Sequence, residues 1–180
     1  YNISPHIIQF KIIDKRGNLS FIEGLHHIPF EIYRTYWIYD VPGGETRGGH
    51  AYRTNEELIV ALSGSFDVIL HDGRQEYRFS LNRSYYGLYV PKMTWRLLEN
   101  FSTNALALVL SSSVYDQDDY IRDFDTFLHE ASFFRYIVLI CKYVQIVYDC
   151  SIIELPRIGN EKGNITVVHG RVNLPFDIAR

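Results

Sequence analysis

The segment Arg47–Gly64 holds the side chains of this chain that are best suited to chemistry, namely His50, Tyr52 and Glu57. Histidine titrates near neutral pH, so His50 could take up and return a proton during a reaction. A histidine nitrogen and a glutamate oxygen are also ligands for divalent metal ions. Tyrosine, with an ordinary pKa of about 10, is a poor base at neutral pH but can donate a proton. The segment therefore predicts an acid–base site or a metal site, with a hydrogen-bonded core histidine as the plainer alternative for His50.

The spacing of this segment resembles the first of two cupin signatures, in which a His-x-His pair is followed by a glutamate and a glycine. Tyr52 stands at the position of the second histidine. Residues 87–100 resemble the second signature, and Arg96 occupies the position of its histidine. Only His50 and Glu57 remain of the four ligands, and the guanidinium of Arg96 stays protonated and repels cations. We therefore predict a site with no metal and no other cofactor.

Without a metal, the same inward-facing positions predict a pocket in the mouth of a barrel, with a mixed aromatic and cationic lining. Arg34, Arg47 and Arg96 together suit a pyrophosphate group, which arginine recognises through paired hydrogen bonds. Tyr36 is a further candidate for substrate binding. Strand alternation turns Tyr36 and Trp37 to opposite faces, so only one of these two side chains can line the pocket. The plainer alternatives are surface ion pairs for the arginines and a core position for the tyrosine.

The elements that must position these side chains are predicted to be short strands. Apolar runs alternate with Gly, Pro and Asp turn signals, which is typical of an all-β double-sheet jelly roll or barrel. The resemblance to the cupin signatures implies the first of these, the cupin double-stranded β-helix. The predicted strands outside the first signature are Ile7–Ile13, Leu19–Ile22, Ile32–Val41, Phe66–His71, Tyr77–Leu81, Tyr86–Val90, Thr94–Leu98 and Ala105–Leu110. Helical spacing at Asp118–His129 predicts a short helix after the last strand.

Length and composition limit the organisation and the partners of the chain. With 180 residues, the sequence supports one good core and is too short for two ordinary domains. A net charge of −3 without a basic block gives no reason to expect nucleic acid or an anionic membrane as a partner. The apolar run Phe133–Val147 is interrupted by charges and is too short for a membrane span, so it is expected to be buried or to face a partner. Two cysteines, Cys141 and Cys150, and no signal-like segment at the start predict a cytoplasmic protein without a disulfide framework.

Residues 152–180 repeat the beginning of the chain. Pro175–Arg180, for example, is identical to Pro29–Arg34 at four of six positions. A period of about 146 residues is far longer than a solenoid unit and indicates a duplicated domain, in a fragment of a tandem protein or a truncated gene product. We therefore predict a cupin domain at 1–130, a connector at 131–151 and the truncated start of a second cupin copy at 152–180.

Six segments carry a more distinctive pattern. They are Ile28-Pro-Phe-Glu-Ile-Tyr-Arg34, Asp40-Val-Pro-Gly-Gly, Arg47-Gly-Gly-His-Ala, Leu62-Ser-Gly-Ser-Phe-Asp-Val-Ile-Leu, Asn82-Arg-Ser-Tyr-Tyr-Gly-Leu-Tyr and Tyr115-Asp-Gln-Asp-Asp-Tyr-Ile-Arg122. These segments resemble one branch of the cupins, the dTDP-4-keto-6-deoxy-D-glucose 3,4-ketoisomerases, also called WxcM-like or FdtA/QdtA-type proteins. The resemblance runs through about residues 7–130 and again through 152–180.

The resemblance implies a metal-independent isomerase that binds a dTDP-linked 4-keto-6-deoxyhexose. Such an enzyme moves the keto group from C4 to C3 through an enediol and supplies 3-keto sugars for deoxyamino-sugar and surface polysaccharide synthesis. It implies His50 as the base, and Tyr52 stands where the family usually carries a second histidine. We therefore predict a weakened or altered isomerase in which His50 works alone or with Tyr52 as the catalytic acid. The charge of Glu57, where relatives often carry a glutamine, is expected to raise the pKa of His50. The substrate-binding residues implied together are Arg34, Tyr36, Arg47, Glu57, Arg96 and Arg16, and the last two are expected to influence the stereochemistry at C4.

The same resemblance implies a homodimer in which N-terminal strands cross between subunits. Two alternatives to the isomerase stay open. One is a non-catalytic cupin that binds a nucleotide sugar, or nothing, and serves as a scaffold; Tyr52 is its chief support. The other is the 3,5-epimerase branch of nucleotide-sugar cupins, which would share the fold and the ligand but not the six segments.

Overall fold

Strand pairing in the structure, a computed structural model, confirms the predicted all-β jelly roll. The structure describes residues 4–13, 15–148, 157–160 and 163–166. The chain divides into two units, Tyr1–Tyr136 and Ile137–Arg180. The elements in chain order are β1 (His6–Gln9), β2 (Lys11–Ile12), β3 (Leu19–Ser20), β4 (Arg34–Ile38), β5 (Arg47–Tyr52), β6 (Glu57–Ser63), β7 (Phe66–His71), β8 (Glu76–Leu81), β9 (Tyr86–Val90), β10 (Trp95–Glu99), β11 (Leu106–Ser111), β12 (Tyr120–Ile121), α1 (Phe124–Tyr148), β13 (Arg157–Asn160) and β14 (Gly163–Thr166).

Two five-stranded sheets form the first unit. Sheet one has the order β1-β9-β6-β11-β4, and sheet two has the order β12-β5-β10-β7-β8. All strand pairs within both sheets are antiparallel. From β4 to β7, and again from β8 to β12, the chain passes to the other sheet at every step. This alternation is the connectivity of a jelly roll.

The main core lies between the two sheets, and a second apolar layer covers the outside of sheet one. The main core contains Ile59, Ala61, Val68, Leu70, Leu88, Leu98 and Val109. On the outer side, Leu58 and Val60 of β6 pack with Phe10, Ile28 and Phe30 of the N-terminal segment. Burying each of these large apolar side chains contributes roughly 1.5–3 kcal/mol. The N-terminal segment is therefore fixed against sheet one, and β6 is apolar on both faces.

The predicted helix exists, but its boundaries differ from Asp118–His129. It begins at Phe124, because Asp123 caps it: the backbone N–H and hydroxyl of Thr126 donate to Oδ2 of Asp123 at 2.8 and 2.7 Å. Residues 120–121 instead form β12, which pairs with β5. The helix continues to Tyr148, through most of the predicted connector. Within the described residues, no helix is both long and apolar enough to cross a membrane.

The hairpin of β13 and β14 has the register of the hairpin of β2 and β3. Lys11 pairs with Ser20 in the first hairpin, and Arg157 pairs with Thr166 in the second, each residue 146 positions further along the chain. The common register agrees with the predicted repeat. The rest of segment 152–180 lies outside the described residues, so the division into a full and a truncated copy stays a prediction.

Candidate active site

The candidate site is a cavity of about 370 Å³ in the mouth of the barrel, formed mainly by β4, β5 and β10. Its lining residues are Arg34, Tyr36, Ile38, Arg47, Gly48, His50, Tyr52, Arg96, Tyr115 and Tyr120. Six of the eight predicted site residues are among them. Glu57 is buried beneath the cavity, where it pairs with Arg96. Arg16 lies exposed in the turn between β2 and β3 and is not among the lining residues.

The pairing of β5 with β10 sets His50 directly opposite Arg96. The register shifts between Arg96 and Leu97, which marks a β-bulge beside the site. Gly48 lies at φ +96°, and a Cβ there would be 2.9 Å from the backbone oxygen of Arg96. Glycine is thus required at this position both for its backbone conformation and for the close approach of the two strands.

A buried ion pair supports the floor of the cavity. Nε of Arg96 lies 2.9 Å from Oε2 of Glu57, although its N–H does not point along that line. Oε1 of Glu57 accepts a hydrogen bond from the Tyr36 hydroxyl at 2.8 Å and a longer one from Asn55. Burial alone would lower the pKa of Arg96, but the negative charge of Glu57 raises it. Arg96 therefore stays protonated, and its charge compensates the buried carboxylate.

His50 is a neutral base in this environment. Burial lowers its pKa to about 3, and the positive charge of Arg96 acts in the same direction, against a backbone hydrogen bond to Gly48. Nε2 of His50 lies 3.0 Å from Nη2 of Arg96. Because a guanidinium can only donate, Nε2 is the unprotonated acceptor and the ring proton is on Nδ1. The prediction that Glu57 raises the pKa of His50 is wrong. Glu57 pairs with Arg96, so the charge that His50 meets directly is the positive guanidinium of Arg96.

Tyr52 is a hydrogen-bonded phenol rather than a base. Its side chain is buried, and its hydroxyl donates to the hydroxyl of Tyr120 at 3.1 Å. Nη2 of Arg96 approaches the same hydroxyl at 3.4 Å. Burial, followed by the charge of Glu57, raises the pKa of Tyr52 and outweighs the opposite effect of Arg96. Tyr52 therefore keeps its proton at neutral pH and can act only as a donor.

Two tyrosines of the cavity were not singled out from the sequence. Tyr120 is half-buried, and its ring centroid lies 4.9 Å from that of His50 and 4.6 Å from that of Tyr52. Tyr115 is exposed at the rim, 5.9 Å from Tyr120. Both belong to the segment Tyr115–Arg122, which carries the family resemblance. That segment was the available signal, but the two-residue strand β12 that brings Tyr120 to the cavity is too short for periodicity to detect.

The upper part of the cavity presents cationic donors. Arg34 donates from Nη2 to the hydroxyl of Ser111 at 3.2 Å, while its Nε is buried without a partner among the described residues. Arg47 is exposed at the start of β5. Nη1 of Arg96 is also buried and, in the described part of the chain, unpartnered. Buried arginine donors of this kind are suited to anionic oxygen atoms of a ligand.

These residues do not fit a divalent metal. The lone pair of Nε2 of His50, which a metal would need, is directed at the guanidinium of Arg96 at 3.0 Å. Glu57 is likewise occupied by Arg96 and Tyr36. A cation would have to displace a fixed positive charge from both ligands.

Fold and site together define a cupin whose barrel mouth is arranged for proton transfer on an anionic small molecule. The chain belongs to the WxcM-like family: the family model described as "WxcM-like, C-terminal" (FdtA) matches residues 4–132. It is 44% identical over 122 residues to a TDP-4-oxo-6-deoxy-alpha-D-glucose-3,4-oxoisomerase from Aneurinibacillus thermoaerophilus, covering 67% of this chain and 88% of that protein.

Solved structures agree with this assignment. A 3,4-ketoisomerase from Helicobacter canadensis is 40% identical with a TM-score of 0.69, covering 73% of this chain and 99% of that one. The sugar 3,4-ketoisomerase QdtA from Thermoanaerobacterium thermosaccharolyticum, in complex with TDP, is 36% identical with a TM-score of 0.70, covering 73% and 97%.

Proposed function

We propose that this protein is a metal-independent TDP-sugar 3,4-ketoisomerase, which moves the keto group of a TDP-4-keto-6-deoxyhexose from C4 to C3. The observation that carries the proposal is His50, a neutral imidazole with an unprotonated Nε2 in a cavity lined by arginines and tyrosines. Moving a keto group needs one base that takes a proton from one carbon and returns it to the next. The relatives described above are named for this reaction.

In the proposed reaction, Nε2 of His50 removes the proton from C3, and the electron pair of that bond forms the C3–C4 double bond of an enediol. The keto oxygen at C4 takes up a proton. Return of the carbon-bound proton to C4, with loss of the hydroxyl proton at C3, gives the 3-keto sugar. The contact of Arg96 with Nε2 has to yield to the substrate in this step.

The charge of Arg96 couples proton uptake by His50 to the development of negative charge on the sugar oxygens. Its guanidinium disfavours protonation of His50 in the free protein. When negative charge develops on the sugar oxygens, the guanidinium of Arg96 stabilises that charge. The same negative charge offsets the repulsion between the guanidinium and the imidazolium of His50. Arg96 therefore favours proton uptake by His50 at the moment when the enediol forms.

The diphosphate is proposed to bind at the rim. Arg34 has a buried Nε without a partner among the described residues, and Arg47 lies exposed on the same cavity. Arginine pairs of this kind form charge-assisted hydrogen bonds to phosphate oxygens. Arg96 borders the base and is proposed to influence the face of C4 that is protonated, whereas the contribution of Arg16 stays a prediction.

The experiment that tests the function incubates the protein with TDP-4-keto-6-deoxyglucose in D2O and follows the sugar by NMR. We expect the 3-keto product, with deuterium entering at the isomerised carbons. His50→Gln should lower the rate by about 100-fold or more, while a shift of the unfolding temperature by TDP persists and shows that the pocket is intact.

Tyr52→His provides the matched comparison for the second histidine of the family. Activity that appears only in this variant would identify the domain as a degenerate copy. If neither protein forms product although both are folded and stabilised by TDP, the protein is a non-catalytic nucleotide-sugar cupin and the isomerase proposal is wrong.

The proposed assembly is a homodimer. An apolar groove on the outer face of sheet one is lined by Trp37, Tyr39, Leu62, Leu106 and Leu108, among others. Strand β1 forms the edge of the same sheet, where it pairs with β9. An exchange of N-terminal strands between subunits would preserve those contacts, since an identical strand replaces the original one.

A cytoplasmic location and a tandem organisation complete the proposal. A nucleotide sugar carries diphosphate charges that do not cross a lipid bilayer unaided, so the enzyme is expected where its substrate is made. The tandem organisation, with a cupin copy at 1–130 and a second one beginning at 152, is supported by the common register of the two hairpins.

A further inference from the structure

Three side chains form a directional chain of hydrogen bonds along the cavity. Nη2 of Arg96 approaches the Tyr52 oxygen at 3.4 Å, and a guanidinium can only donate. The hydroxyl hydrogen of Tyr52 is directed to Tyr120, whose oxygen accepts it at 3.1 Å. Tyr120 keeps its own O–H, for which no described side chain is an acceptor. The chain therefore ends in a hydroxyl donor on Tyr120.

The two tyrosines differ in their access to a ligand. The Tyr52 side chain is only 5% exposed, whereas Tyr120 is half-buried and packs against His50. Both belong to the lining of the cavity. Of the two phenols, Tyr120 is therefore the one placed to reach a sugar oxygen next to the base.

Several contacts fix Tyr120 in this position. It pairs across strands with Tyr52, through β12 and β5. Nη1 of Arg53 donates to the backbone oxygens of Asp118 and Tyr120, and its other nitrogens bind both carboxylate oxygens of Glu130 on α1. A donor held by strand pairing and by a paired ion contact is preorganised for proton transfer.

We propose that Tyr120 is the catalytic acid that protonates the keto oxygen of the sugar, and that Tyr52 is a positioning residue that acts through it. The inference rests on the proposed 3,4-ketoisomerase function and assigns the proton donor of that same site. It gives Tyr52, in the position of the second histidine, an indirect role: its hydrogen bond stabilises the oxygen of Tyr120 after the proton has left.

The proton transfers balance over one turnover. His50 takes the proton from C3, and Tyr120 gives its phenolic proton to the oxygen on C4, which yields the enediol, an imidazolium and a phenolate. The phenolate accepts a hydrogen bond from Tyr52. It then removes the hydroxyl proton at C3, while the imidazolium returns its proton to C4. Both residues end in their starting forms, and no co-reactant is consumed.

The first test compares Tyr120→Phe with Tyr136→Phe, which removes a phenolic hydroxyl from an exposed position on α1 outside the cavity. We expect Tyr120→Phe to lower kcat by about 100-fold, within the range of general acid catalysis, and to change KM by less than about threefold. Tyr136→Phe should retain native kcat and KM. A kcat for Tyr120→Phe within about threefold of the native value would overturn the proposal.

The second test is a double-mutant cycle with Tyr52→Phe. If Tyr52 acts through Tyr120, Tyr52→Phe alone should lower kcat by about 10-fold, and the double variant should be no worse than Tyr120→Phe alone. Losses that multiply would show instead that Tyr52 contacts the substrate itself, and that assignment would be wrong. Matching unfolding temperatures with and without TDP would separate these outcomes from loss of folding or binding.

The two proposals fail in different ways. A native protein without isomerase activity contradicts the proposed function before any tyrosine is exchanged. A native protein that is active, together with a fully active Tyr120→Phe variant, contradicts only the role of Tyr120.

Discussion

At the scale of single residues, the site depends on where protons and charges lie around His50. Arg96 compensates the buried Glu57, and burial together with the charge of Arg96 lowers the pKa of His50 and keeps its imidazole neutral. A neutral imidazole can accept a proton over the whole physiological pH range. It is a weak base in the free protein, and it becomes a stronger one when a negatively charged ligand offsets the charge of Arg96. Arg96, in the position of a metal-binding histidine, thus contacts both remaining candidate ligands, His50 and Glu57, and leaves His50 as the base of the proposed reaction.

This arrangement makes folding stability depend on pH through His50. In the unfolded chain the imidazole has its ordinary pKa near 6.5, whereas burial and Arg96 lower it to about 3 in the folded protein. Between these values the unfolded state binds more protons, so the contribution of His50 to stability is complete above pH 6.5 and is lost as the pH falls towards 3. We expect native stability to fall more steeply than that of His50→Gln between pH 6 and 4, by up to about 1.4 kcal/mol per pH unit.

Urea unfolding of both proteins at pH 7, 6, 5 and 4 measures this difference. The other histidines are common to both proteins and cancel in the comparison. Parallel pH dependences would show that His50 is not held neutral by its surroundings.

The sequence predicted the positions of the site residues better than their interactions. Motif spacing placed His50, Tyr52 and Arg96 correctly on one cavity, because cupin strands alternate inward and outward in a fixed way. The order in which Glu57, Arg96 and His50 contact one another could not be predicted, since it depends on side-chain direction across two sheets. For that reason the sign of the pKa shift of His50 was predicted wrongly.

At the scale of elements, the bulged pairing of β5 and β10 sets the geometry of the base. The register shift follows Arg96, and Gly48 lies against the backbone of that residue. Strand packing next to His50 and Arg96 thus explains Gly48 of the first signature. It permits the backbones of β5 and β10 to approach each other where His50 lies opposite Arg96.

The neighbouring glycines Gly48 and Gly49 allow this packing to be tested. Both have positive φ, +96° and +70°, but a Cβ on Gly48 would contact the Arg96 backbone oxygen at 2.9 Å, whereas one on Gly49 would have nothing within 4 Å. Each alanine variant carries the cost of a positive φ, about 1–2 kcal/mol, and only Gly48→Ala adds a backbone clash. We expect Gly48→Ala to be less stable than Gly49→Ala by about 1 kcal/mol or more and to lose more isomerase activity. Equal unfolding midpoints in urea would show that β5 and β10 do not need this close approach.

The limits of sequence-based prediction are clearest in β12 and α1. Eight of the ten strands in the two sheets were predicted from apolar runs, whereas β5 was recognised only as part of the first cupin signature. Tyr120 and Ile121 were assigned to a helix that begins after them. Apolar spacing in Tyr120, Phe124 and Phe127 fits a helical period, but pairing with β5 draws the first of these into a sheet. Tertiary pairing thus decided the structure of a segment whose local pattern was ambiguous.

At the scale of the whole molecule, sheet one has an apolar outer surface that the N-terminal segment covers only in part. Phe10, Ile28 and Phe30 cover Leu58 and Val60. Next to them, Trp37 and Tyr39 are each 59% exposed and Leu62 is 43% exposed around a groove of about 440 Å³. Contiguous exposed apolar residues of this kind support the proposed interaction surface. A second copy of this chain is the partner that the proposed homodimer would place there.

The homodimer is tested best by charges placed in this groove. In multi-angle light scattering, we expect the native protein to have twice the mass of one chain. The double variant Trp37→Lys, Leu62→Lys should have the mass of one chain, because burying two ammonium groups without partners in the interface costs several kcal/mol. Val114→Lys is the matched control, since Val114 is 64% exposed and lies outside the groove, and it should leave the mass unchanged. A native protein with the mass of one chain would contradict the dimer itself. A double variant that keeps twice that mass and the native unfolding temperature would place the interface on another face.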